Sequence, residues 1–204
     1  MATESNHKAR ETYQALMIEA KARAMSINTL VNDQRGIPSP LVREYAFLQI
    51  RMLCEIIGLA CLVAHGDLVE KSSSKLKKAY SPGEIIAALD LLHDDFFPVP
   101  IDPKKTATGW HMAECTGGPF LAKSEIAKLW ARCGDILHRG NLSRVLKKQN
   151  PVQNNFTDIN EAGQKIWNLL SKHRIITVDR RLVFIAFLQD DAAGGDVRIS
   201  LGDA

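Results

Sequence analysis

Near residue 172 the chain changes its period. Before that point apolar residues recur every three to four positions, as in helices that pack one face on a core. From Arg174 onward they alternate or run together as β-branched and aromatic residues: Arg174–Val178, Leu182–Leu188 and Val197–Leu201. Asp179–Arg181 and Asp191–Asp196, with its Gly194-Gly195 pair, punctuate these runs. Three short antiparallel strands are expected there. The middle run is apolar on both faces, so both should be covered, with a partner subunit as one way to cover the second. The expected fold is therefore mainly α. It is an up-down helical bundle of four to five main helices over residues 1–172, with residues 173–204 as a β-strand extension packed on the same domain.

The helical part divides at its breakers. A first helix is expected over residues 4–34, ended by Gly36 and Pro38. Ser39 and Pro40 open a second, running to His65–Gly66 with His65 as a terminal cap. This second helix is apolar almost all round, as an enclosed helix is. Arg51 and Glu55 in its middle make it a core helix rather than a membrane span. With Glu44 they form one narrow polar stripe. Arg before Glu is the weaker local orientation at this spacing, so partners on another helix are expected. After the lysine patch Lys71, Lys75, Lys77 and Lys78, the run Ser81-Pro82-Gly83-Glu84 has the residues of a cap and starts a helix expected to reach Phe97. Further helices are expected over Ser124–Arg139, stopped by Gly140, and over Asp158–His173. Trp130 and Trp167 fall at core spacing on them.

Residues 98–119 lack a period and are rich in Pro, Gly and Thr, so they form either a functional loop or a small hairpin. His111, Cys115, Cys133 and His138 do not match a strong zinc pattern. His93 among Asp90, Asp94 and Asp95 reads as solvated. No metal or other cofactor is expected. Composition is that of an ordinary globular chain, with a net charge of +3 that permits nucleic acid as a partner without arguing for it. Met1 to Arg10 is polar and charged, unlike a signal peptide, and three of four cysteines lie in apolar helical runs. A reducing cytoplasm is the expected setting, and no membrane partner is expected.

The chemistry-bearing stretch is Leu129-Trp-Ala-Arg-Cys-Gly-Asp-Ile-Leu-His-Arg-Gly140. Ile126, Leu129, Trp130, Cys133, Ile136 and Leu137 share one helix face. Arg132, Asp135 and His138, at i, i+3 and i+6, step across the opposite one. The bland reading is a solvated surface with a weak ion pair. This stretch also resembles the HEPN superfamily, whose signature is an Arg, four to six residues, then a His, late in a helical bundle. Arg132 and His138 fit that signature. Gly134-Asp135-Ile-Leu-His138 looks like the family's Gly-Asn-x-x-His form with Asp for Asn, and Arg51 with Glu55 is similar to an Arg-x-x-x-Glu on an earlier central helix. The likeness spans roughly residues 10–172.

The resemblance implies metal-independent RNA cleavage. His138 would be the general acid/base and Arg132 the phosphate and transition-state stabiliser. Asp135, Arg139, Arg51 and Glu55 would be supporting residues. It further implies RNA as substrate or ligand, a two-fold homodimer, and a bacterial toxin–antitoxin or phage-defence setting with an antitoxin or other partner protein. The alternative is a non-catalytic helical dimerisation or interaction module. A weaker third reading is a metal- or nucleotide-dependent enzyme built on residues 98–119.

Overall fold

The structure is a computed structural model and describes residues 2–66, 81–107, 109–138, 155–178 and 180–203. Five helices are described: α1 (Ala2–Asn32), α2 (Ser39–Ala64), α3 (Pro82–Asp90), α4 (Lys123–Leu137) and α5 (Thr157–Ser171). The strands are β1 (Val99–Thr106), β2 (Gly109–Glu114), β3 (Lys172–Ile176), β4 (Leu182–Asp190) and β5 (Asp196–Asp203).

The expected mainly α bundle with about three strands is incorrect. The chain is a mixed α/β fold with one five-stranded antiparallel sheet, in the order β2-β1-β3-β4-β5. The extra strands come from residues 98–119, which form the β1–β2 hairpin. That hairpin joins the C-terminal strands through Val99↔Arg174 and Pro100↔His173. Its pairing is reinforced where the Arg174 guanidinium reaches the Glu114 carboxylate and where the Cys115 N–H donates to the Pro100 carbonyl at 2.9 Å.

Helix α2 is the spine. Ile50, Leu53, Cys54, Ile57 and Cys61 are fully buried, and α1, α3, α4 and α5 all pack against it. It is the one helix among the described residues long and apolar enough to cross a membrane, yet 61% of its most apolar window lies inside the fold. Before it, Arg35 and Gly36 turn the chain with positive φ values of 50° and 78°. His65 caps its end, with Nδ1 on the Cys61 carbonyl at 2.7 Å.

The sheet lays Phe184, Ala186, Leu188, Val197 and Ile199 against α1 and α5. Val183, Ile185 and Phe187, on the other face of β4, are half-buried. Helix α3 starts as expected, with the Ser81 hydroxyl accepting the Glu84 N–H at 3.3 Å, but it ends at Asp90 rather than Phe97. Leu91 and Leu92 point outward while Phe96 turns back into the core. The lysine patch at 71–78 and Gly140 lie outside the described residues.

Candidate functional site

Helix α4 presents the stripe that the periodicity predicts. Arg132, Asp135 and His138 are exposed while Ile126 and Cys133 are buried. No hydrogen bond joins those three polar side chains. His138 stands at the helix end, its own N–H donating to the Gly134 carbonyl at 3.0 Å and its ψ of 123° leading the chain off the helix axis. Arg139 lies outside the described residues.

The other half of the family likeness proves to be one packing unit. The Arg51 guanidinium lies over the Trp130 ring, 3.9 Å from its centroid, and the Trp130 indole N–H donates to Glu55 Oε1 at 2.7 Å. Arg51 Nε and Glu55 Oε1 are 3.5 Å apart on the same helix. The partner expected for this stripe is therefore Trp130, half-buried between two charged groups rather than a plain core residue. Gly134 completes the arrangement, because a Cβ there would sit 2.5 Å from Arg51 Nη1. The Gly-Asp step has a steric reason of its own: it makes room for the arginine.

This account predicts a coupling. Gly→Ala inside a helix ordinarily stabilises by about 1 kcal/mol. In the wild-type background Gly134→Ala should lose that gain, because it pushes the guanidinium off the indole. In an Arg51→Ala background the gain should return, giving an interaction of about 1–2 kcal/mol in urea melts. Equal stabilisation in both backgrounds would contradict the packing described.

A second cluster, which the sequence did not reveal, surrounds Asp158 in the first turn of α5. Arg43 of α2 holds its carboxylate with two parallel bonds, Nη1 to Oδ1 at 3.0 Å and Nη2 to Oδ2 at 2.9 Å. Arg132 of α4 reaches the same Oδ2 at 2.9 Å. Both guanidinium groups also lie over the Phe47 ring, at 5.5 Å and 5.9 Å. Burial pushes the Asp158 carboxyl up, but the hydrogen bonds and charge of Arg43, then the charge of Arg132, outweigh it and hold it below the usual carboxylate range. Two cations on one carboxylate leave an excess positive charge. Arg43 is the enclosed partner, with 12% of its side chain exposed, whereas Arg132 has 54% exposed. The surplus charge therefore faces solvent at Arg132.

No described group of three or more His, Cys, Asp or Glu could hold a metal ion. Burial pushes the Cys133 thiol up to about 11, so it is no nucleophile near neutral pH. His173 and His65 are buried, and His93 is half-buried beside His65. His173 is fully buried, with Nδ1 on the Leu170 carbonyl at 2.9 Å and Nε2 2.6 Å from the Tyr13 hydroxyl. His65 and His93 both approach the Ile176 carbonyl, at 3.2 Å and 3.3 Å.

No protein-family model, curated protein or solved structure matches this chain.

Proposed function

We propose that the chain is a cytoplasmic RNA-binding protein of the HEPN-like kind, in which Arg132 holds a backbone phosphate and His138 carries out metal-independent cleavage. The proposal concerns the site, since the fold is α/β. The observation that supports it best is the convergence of Arg43 and Arg132 on Asp158, which leaves Arg132 fixed at its tip, half exposed and surplus in charge. Asp158 is shared with Arg43 and offsets only part of this charge, so the exposed side of the Arg132 guanidinium is left to attract a phosphate.

In the proposed reaction an imidazole nitrogen of His138 removes the proton of a ribose 2′-OH. The oxygen attacks the adjacent phosphorus, the bond to the 5′-oxygen breaks, and that oxygen leaves with a proton returned by an imidazolium. The products are a 2′,3′-cyclic phosphate and a 5′-hydroxyl. Arg132 offsets the charge that grows on the phosphoryl oxygens. A two-fold pair would supply one histidine as base and a second as acid, so the active unit is a homodimer. Asp135, one turn before His138, would orient it. The biological setting on this reading is toxin–antitoxin or phage defence, with an antitoxin or other protein as partner.

Incubating the chain with total RNA in EDTA tests the catalytic part. Wild type should cleave, and His138→Ala should be slower by about 10²-fold or more. Equal products from the two proteins would remove His138 from the chemistry. A non-catalytic interaction module is the second reading. It is favoured by Leu41, Leu48 and Leu59, which share one face of α2 and are 51%, 42% and 43% exposed. A dimer by light scattering that Leu48→Glu dissociates, together with an inert His138, would decide for that reading.

A further inference from the structure

A groove of about 510 Å³ runs between the C-terminal half of α1 and helix α5, with Gln189 of β4 at one side. Among the described residues no Asp, Glu, Lys, Arg or His lines it. Its polar groups are all carboxamides: Asn28 and Asn32 from α1, Asn160 and Gln164 from α5, and Gln189. Each α1 and α5 pair lies on one helix face, at i,i+4 spacing, so amide groups border the groove from two helices. Trp167 supplies an aromatic wall and Ile27 and Ile159 an apolar floor.

Gly163 is the telling residue. It sits inside α5, where glycine is among the least favourable choices. Its φ is not positive, and a Cβ added there would meet nothing within 4 Å. Neither backbone conformation nor packing calls for glycine. What its missing side chain does is leave open space between Ile159, one turn before, and Trp167, one turn after.

We propose that this groove binds a nucleobase, with the ring lying over Gly163 against the Trp167 indole. Carboxamides present a donor and an acceptor in one plane, the pattern that pairs with the edges of bases. An indole gives any base a face to stack on. With no charged side chain among the described lining residues, the groove suits a neutral, planar group better than a phosphate or carboxylate. Part of the inventory is spoken for, since Asn32 Nδ2 donates to Asn28 Oδ1 at 3.0 Å and Gln164 Nε2 to Asn168 Oδ1 at 2.6 Å. Among the described residues the Asn28 Nδ2 group and the Asn160 and Gln189 carboxamides make no such bond. At 100° per residue the groove residues of α5 lie on the side away from Asp158. The site is thus separate from the arginine cluster and does not rest on the function proposed for it.

Titrating the full chain with adenosine, guanosine, cytidine and uridine by calorimetry tests this, with ribose as control. At least one nucleoside should bind and ribose should not. Gly163→Leu should weaken binding about tenfold or more while melting no lower than wild type. Trp167→Leu, which keeps an apolar side chain and removes the stacking face, should weaken it similarly. The proposal fails if no nucleoside binds wild type, or if Gly163→Leu binds as well as wild type. It also fails if a capped peptide, N-acetylglycine N-methylamide, competes as well as the nucleosides.

Discussion

Lowering the pH from about 7 to about 4.5 should cost the wild-type chain about 2 kcal/mol more stability than it costs the double variant Tyr13→Phe/His173→Phe. The reason is the imidazole of His173, enclosed among α1, α5 and the sheet. Burial lowers its pKa to about 4, only partly opposed by the hydrogen bond to the Leu170 carbonyl. An unfolded histidine titrates near ~6.5. As pH falls, the unfolded chain takes up this proton first. The stabilisation is complete above about 6.5 and is lost progressively on the way down to about 4. Protonation also breaks the local pattern, because a doubly protonated ring cannot accept from the Tyr13 hydroxyl. Removing both partners together avoids leaving either one buried and unpaired. His65 is shifted in the same direction, first by burial, so it adds to the acid loss in both proteins. Urea midpoints at the two pH values measure the difference. Equal losses in wild type and double variant would show that His173 is not held neutral.

Asp158→Asn should change stability and RNA affinity in opposite directions. Arg43 has 12% of its side chain exposed and loses the one carboxylate that pairs with it among the described residues, so the fold should weaken by about 1–3 kcal/mol. The same change releases the Arg132 guanidinium and raises the positive charge facing solvent by one. RNA should bind more tightly, and the salt dependence of binding should steepen by about one unit of slope. A purely structural ion pair predicts the first effect without the second.

Much of the helical part is written in local pattern. Ser81 caps α3 through the Glu84 N–H, and the apolar run of α2 is the enclosed helix it resembles. The size of the sheet is not legible, because β1 reads Val-Pro-Ile-Asp-Pro-Lys-Lys-Thr. Two prolines and no alternation leave a loop and a small hairpin equally open, and only Ile101 of that strand is buried. The hairpin forms because Val99 and Pro100 meet β3 some seventy residues later, a non-local pairing that no short window carries. Helix α3 stops at Asp90, short of the expected Phe97, and Leu91 and Leu92 just beyond it are 88% and 47% exposed.

The candidate site divides in the same way. The exposed stripe of Arg132, Asp135 and His138 follows from helical spacing alone. Arg43 and Asp158 do not, since they are 115 residues apart and nothing local marks either as the other's partner. Gly134 and Trp130 were visible as residues but not in their roles. Only the packing of α4 on α2 shows that the glycine admits Arg51 and that the indole bridges it to Glu55.

Fluorescence-anisotropy titration of a labelled single-stranded RNA, at two or more salt concentrations, separates a phosphate-binding Arg132 from a purely structural one. Wild type, Arg132→Ala and Asp158→Asn would be compared. The account predicts that Arg132→Ala binds more weakly, with a salt slope smaller by about one unit, and that Asp158→Asn binds more tightly with a larger slope. Identical affinities and slopes for all three proteins would contradict it and leave the arginine pair a structural clasp.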